Sequence, residues 1–240
     1  MNNYTKSMLL LITYSIVWLA IVSWSQNTYP NGTKIITLED AGITIIKPTE
    51  REIIFNENGT TASQLWFDHY ASAVINAGYF GYTWDKKYMP AGIYTLGNTA
   101  SRDVDIDPSH CRRDGNLCSF VDINSLGIHR WQDSLRWEII NSGPIMVMNG
   151  IINPDIYSSY SHRQRKTNRT ILINTNNWPV FIITTKSYTL PQIAHYLLWL
   201  FGSNVSIINL DGWSSTSLWT SQTWQYFNDH KPLPTFFVLH

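Results

Sequence analysis

Beyond residue 32 the apolar positions come in short, β-branched runs broken by Gly, Pro or charge. TKIITL (33–38), GITII (42–46) and REIIFN (51–56) each have the length and side-chain type of a strand. TTASQLWFDHY (60–70) changes period, with Leu65 and Trp66 on an inner face and Asp68 outward, and reads as a helix before SAVINAGYF (72–80) returns to strand character. From Ser142 the pattern sharpens. GPIMVMNG (143–150) is a strand bracketed by glycines, and RTILINT (169–175) and PVFIITT (179–185) are strands joined by NNWP, whose Asn and Pro suit a hairpin turn. Thr189 can cap a helix running through LPQIAHYLLWLFG (190–202), with Pro191 tolerated in the first turn and Gly202 stopping it. VSIINL (205–210) is a strand ending at Asp211, and PTFFVL (234–239) is a closing strand.

These elements predict an α+β protein: a single domain with a mixed β-sheet core flanked by a few helices and long loops. Residues 81–136 are rich in Gly, Asp, Pro, Asn and Ser and read as excursions from that sheet rather than a second domain. The strand–helix–strand run that ends at Asp211 matters most for function, because ligands tend to bind beyond the carboxyl end of such strands.

At 240 residues the chain is long enough for one domain with a real core. Its 17 basic residues balance 17 acidic ones without a long run of either sign, so the electrostatic footprint of a nucleic-acid binder is missing. Aromatic residues are as frequent as charged ones, at 14% each, a balance suited to neutral, ring-shaped ligands such as sugars. Lys6 precedes an apolar run from Met8 to Val22 that is followed by Ser23, Trp24 and Ser25. This predicts that residues 1–25 form a secretory signal peptide or an N-terminal membrane anchor, leaving 26–240 as the functional domain outside the cytoplasm. In an oxidising compartment, Cys111 and Cys118 of CRRDGNLC suit a small loop-closing disulfide. No metal-ligand spacing or cofactor motif is present, so none is expected.

In IINLDGWSST (207–216) the strand fixes the backbone of Asp211, Gly212 permits a sharp turn, and Ser214, Ser215 and Thr216 supply hydroxyls for whatever binds there. On its own, Asp-Gly is equally a common turn dipeptide. Asn76 before Gly78, and Asn149 before Gly150, place an amide where a nearby glycine permits close approach, although either Asn could simply close a turn. Arg169 ends the basic stretch RQRKTNR and could hold an anion with its planar fork of donors or make a surface ion pair. His195 falls within the predicted helix, where a packed or rim histidine is the default, and His162 lies a short way before Arg169.

INAGYF (75–80), PAGIYTLGN (90–98), NSGPIMVMNG (141–150), NRT (168–170) and NLDGWSST (209–216), in that order, resemble the phosphodiester glycosidase domain family from about Ala73 onward. The resemblance implies hydrolysis of a sugar joined through its anomeric carbon to a phosphodiester, N-acetylglucosamine being one such sugar. It implies catalytic roles for Asp211 and Arg169, and substrate contacts from Asn76, Gly78, Asn149, Thr170, Gly212, Trp213, Ser214 and Ser215. The expected partner is a glycan or sugar-phosphate substrate. Many relatives read Asp-Gly-Gly where this chain has Asp211, Gly212 and Trp213. A second glycine needed for positive φ or close approach would make Trp213 straining or pocket-filling, whereas an indole stacked on a sugar face would change specificity. The competing function is a non-catalytic envelope protein that binds glycan in the same pocket.

Overall fold

The computed structural model describes residues 32–78, 80–82, 88–90, 95–96, 99–100, 119–122, 125–130, 139–158, 161–175, 178–220, 226–227 and 232–240. The expected leader (1–25) and the expected Cys111–Cys118 disulfide lie outside these residues. Among the described residues, no helix is long and apolar enough to cross a membrane.

The strands of the two large sheets are β1 (Lys34–Leu38), β2 (Ile43–Lys47), β3 (Arg51–Thr60), β4 (Ala73–Asn76), β5 (Ile145–Met148), β6 (Ile151–Ile152), β7 (Thr170–Thr175), β8 (Pro179–Thr184), β9 (Val205–Asn209), β10 (Leu218–Thr220), β11 (Tyr226–Phe227) and β12 (Leu233–Leu239). The main helices are α1 (Ala62–His69) and α2 (Leu190–Phe201). One sheet has seven strands in the order β1-β2-β8-β7-β9-β5-β6, and the other has five in the order β11-β10-β4-β12-β3. The α+β class expected from the sequence is the one observed. Within it the core is two sheets rather than one, and every pairing within them is antiparallel.

Burial explains the layering. Ile46, Leu172, Phe181 and Ile208 from the large sheet meet Ile75, Leu218, Phe237 and Leu239 from the small one in a shared core. Phe181 and Phe237 touch across it, with ring centroids 4.8 Å apart. The opposite face of the large sheet, including Ile171, Ile173, Ile182 and Ile207, packs on Leu190, Ile193, Ala194 and Leu197 of α2. The opposite face of the small sheet, including Val74, Phe236 and Val238, packs on Ala62 and Leu65 of α1. The result is four layers, helix–sheet–sheet–helix, in which alternate residues of a central strand serve different cores. Continuous apolar runs such as TILI therefore mark strands buried on both faces.

Helix α2 begins and ends as its sequence predicts. Thr189 Oγ1 accepts a hydrogen bond from the Gln192 amide, the Thr189 amide donates one to Gln192 Oε1, Pro191 sits in the first turn and Gly202 caps the end. The helix carries the chain from β8 over β7 to β9, so β8 and β9 run in the same direction with β7 between them. The segment expected to be excursions also contains structure. Ser119–Asp122, Ile128–Arg130 and Ile139–Ser142 form a three-stranded antiparallel sheet whose Val121, Leu126, Ile128 and Ile140 join the inter-sheet core.

Candidate functional site

The site is built at the end of the ladder between β7 and β9. Those strands pair with Ile171 opposite Asn209, and one step on, the Leu210 amide donates to Thr170 O at 2.8 Å. Arg169 and Asp211 are the next residues on the two chains, beyond the last paired positions. The approach is close: a Cβ added to Gly212 would lie 3.2 Å from Asn168 O and 3.8 Å from Arg169 Cδ. The backbones that carry Arg169 and Asp211, 42 positions apart in sequence, thus run close to one another.

The main chain of Asp211 is held between the two sheets. Its amide donates to Ala77 O at 3.0 Å, just past β4, and its carbonyl accepts from Asn76 Nδ2 at 2.7 Å. The side chain is half-buried, and its Oδ1 accepts from the Gly212 amide at 2.9 Å. A carboxylate on so fixed a backbone loses little conformational freedom when a ligand arrives.

Arg169 is anchored equally firmly. Its amide donates to Thr184 Oγ1 at 2.7 Å, and its carbonyl accepts from the Thr184 amide at 2.9 Å. Its Nε reaches Tyr188 O at 3.4 Å and one terminal nitrogen reaches Arg165 O at 2.9 Å. Only 4% of the residue is exposed, so these carbonyls fix the plane of the guanidinium. Of the other basic residues nearby, Arg163 is buried and donates to Asp155 O and Ser158 Oγ, while Arg165 and Lys166 face solvent. Among the four, Arg169 is the one next to Gly212, the residue that follows Asp211.

Asn76 and Thr170 join the same constellation, but as buried connectors: Thr170 Oγ1 donates to Asn76 Oδ1 at 2.6 Å, and the Ser217 amide donates to that oxygen at 2.9 Å. Gly78 is buried two residues beyond β4. Gly212 leads into a turn without taking positive φ; what it provides is space beside the Asn168 carbonyl. Trp213, Ser214 and Ser215 form a 3₁₀ turn, closed by the Ser215 amide donating to Gly212 O at 3.1 Å. That right-handed conformation suits any L-residue, so Trp213 imposes no backbone strain; its side chain lies outside the described residues. Ser214 is exposed, whereas Ser215 and Thr216 are buried and turned away from solvent.

Asn149 is not brought to this site. With Gly150 it forms the two-residue turn of the β5–β6 hairpin, with φ of 49° and 78°, the double positive φ that favours Asn-Gly. Its amide donates to Ser206 Oγ at 3.0 Å, which places it at the start of β9, whereas Asp211 follows the end of that strand. His195 sits on the exposed side of α2 against the Tyr157 hydroxyl, 2.6 Å away, and the His162 side chain lies outside the described residues. Among the described residues, no group of three His, Cys, Asp or Glu is placed to hold a metal ion.

Sequence reasoning missed Ser217, Asn209 and Tyr188. Asn209 is buried in the apolar strand β9, where its Nδ2 donates to Gly143 O at 3.1 Å and its amide to Pro144 O at 3.1 Å. A lone amide in an otherwise apolar run was the available signal. Tyr188 contributes its carbonyl to Arg169 and its hydroxyl to Ala41 O, bonds no local pattern could announce.

A half-buried carboxylate and a fixed guanidinium carried on adjoining segments offer one group suited to an electron-poor carbon and one suited to an anion. The comparisons agree with that chemistry. No curated protein sequence matches the chain significantly. The fold is similar to that of the zebrafish N-acetylglucosamine-1-phosphodiester alpha-N-acetylglucosaminidase catalytic domain, described as auto-inhibited by its pro-peptide. The TM-score is 0.58 at 14% identity, covering 87% of this chain and 81% of that one. It is also similar to a hypothetical protein from Synechocystis, with a TM-score of 0.53 at 11% identity, covering 86% of this chain and 61% of the other. The model of the phosphodiester glycosidase family matches residues 69–240, which include both sides of the β7–β9 ladder and the Asn76 strand. The chain belongs to the phosphodiester glycosidase family.

Proposed function

We propose that this chain hydrolyses a sugar-1-phosphodiester, releasing free sugar and leaving a phosphomonoester, with N-acetylglucosamine as the first sugar to test. The observation that supports the reading is the close approach of the Asp211–Gly212 segment to Asn168 and Arg169 at one end of the large sheet. In this mechanism the bond between the anomeric carbon and the phosphate oxygen breaks, and its electron pair leaves with the phosphomonoester. Water adds to the anomeric carbon and yields one proton to Asp211, which passes it to solvent. The Asp211 carboxylate also stabilises the oxocarbenium-like charge of the transition state. Phosphate is already a good leaving group, so the greater need is a cation to hold its oxygens, and Arg169 meets that need.

The name of the zebrafish enzyme supports an N-acetylglucosamine phosphodiester as the substrate class. The apolar run of residues 8–22 supports action outside the cytoplasm. The test is to incubate purified protein with an alkyl N-acetylglucosamine-1-phosphodiester and measure reducing sugar. Release by the parent, lost in Asp211→Asn at unchanged thermal stability, is the expected result. Binding of that compound by calorimetry without release would favour the glycan-binding function, and equal release by Asp211→Asn would remove Asp211 from the reaction.

A further inference from the structure

We infer that Asn76, whose sequence context suggests a substrate contact, acts instead as a clasp that closes the base of the 211–217 loop and thereby positions Asp211. The catalytic part of this inference rests on the reading of Asp211 given above.

The bonding of the amide leads there. Asn76 is 1% exposed, at the end of β4. Its oxygen accepts from Thr170 Oγ1 at 2.6 Å and from the Ser217 amide at 2.9 Å, filling both lone pairs, while its nitrogen donates to Asp211 O at 2.7 Å. Two of these partners are the two ends of one loop. The chain leaves β9, passes Asp211, makes the 3₁₀ turn Trp213–Ser215 and returns at Ser217 to enter β10. Asn76 grips both ends, and its own amide donates weakly to Ser217 O at 3.4 Å. The third partner, Thr170, begins β7 and adjoins Arg169. One buried side chain therefore joins the small sheet, the Arg169 strand and both ends of the Asp211 loop. With Asn76 at 1% exposure, a substrate oxygen would have to enter the interior to reach the one side-chain N–H that these bonds leave over.

Asn76→Asp tests this because it keeps the shape and the acceptor oxygen but sets an oxygen against Asp211 O. Hydrogen exchange at the Asp211 and Ser215 amides should accelerate about tenfold or more, with Ile171, Leu172 and Ile207 unchanged. With an active parent, kcat should fall about 100-fold through misplacement of the carboxylate, while KM stays within about threefold. Should Asn76→Asp fail to fold, Thr170→Val, which removes one donor to the same oxygen, should give a smaller change of the same kind. A raised KM at unchanged kcat would restore Asn76 to substrate contact, and unchanged exchange in the loop would overturn the clasp. A parent that releases no sugar defeats the hydrolysis reading alone, since the exchange measurement still decides whether the clasp exists.

Discussion

Two glycines of this chain carry different physical burdens. At Gly212 the backbone is of a kind any residue adopts, and the constraint is the Asn168 carbonyl 3.2 Å from where a Cβ would stand. Gly212→Ala should therefore leave stability within about 1 kcal/mol of the parent, yet push the Asn168–Arg169 segment away from Asp211 and lower sugar release about tenfold. At Gly150 φ is +78° and an added Cβ would stand 2.0 Å from the Ser203 carbonyl oxygen. Gly150→Ala should cost roughly 2 kcal/mol or more in urea denaturation, because backbone strain and overlap add. Arg169→Lys asks a third question at the same scale. Lysine lacks the planar fork that spans Tyr188 O and Arg165 O, so the cation would lose its fixed orientation. KM for the phosphodiester should rise about 10- to 100-fold, the worth of one or two charge-assisted hydrogen bonds, with a smaller change in kcat. A change confined to kcat would place Arg169 outside phosphate binding.

Helix α2 was legible because its signals are local. Thr189, Pro191 and Gly202 lie within one stretch and act on the backbone beside them, and the structure adds only the reciprocal bond from the Thr189 amide to Gln192 Oε1. Thr189→Ala should destabilise the protein by about 1 kcal/mol in chemical denaturation with no change in the denaturant slope. The strands were legible for the same reason, since β-branched runs declare themselves without reference to a partner. Their partners were not. β4 lies between β10 and β12, whose sequences come more than 140 residues later, and no local pattern specifies that pairing. Hence Asn76 was recognisable as an unusual residue at a strand end, but its bonds to Thr170, Asp211 and Ser217 were not. Tyr188, just before the helix cap, shows a further effect of burial. Its hydroxyl donates to Ala41 O, and loss of solvent raises its pKa above the usual tyrosine value; Tyr196 is shifted the same way. A raised folded-state pKa means that the unfolded chain gives up the proton first. The contribution is therefore complete below the ordinary tyrosine value of about 10 and is lost as pH rises through the higher folded value. Tyr188→Phe should lower stability at neutral pH by about 1 kcal/mol and lessen its decline above about pH 10, read from urea midpoints across that range.

At the scale of the molecule, the arrangement of layers decides whether the site exists at all. Asp211 belongs to the chain leaving the large sheet, but its amide and carbonyl are both held from the end of β4 in the small one. The site is therefore only as well defined as the contact between sheets, and that contact is the shared apolar core through which Phe181 and Phe237 touch. The sequence reading of one mixed sheet missed this dependence, because alternation along a strand reveals that both faces are buried without revealing what covers each. Phe237 is fully buried and lies on β12, between β4 and β3, far in sequence from every residue assigned to the reaction. Phe237→Ala should cost about 3–5 kcal/mol by opening a cavity between the layers. Since one core serves both sheets, tryptophan fluorescence and far-UV circular dichroism should report a single shared unfolding transition, shifted to lower denaturant. The folded fraction that remains should show faster exchange at the Asp211 amide than at Ile193 in α2, because α2 packs on the other face of the large sheet and does not depend on the inter-sheet contact. Separate transitions for the two sheets would mean that Asp211 is held by its own strand alone and does not depend on the contact between sheets.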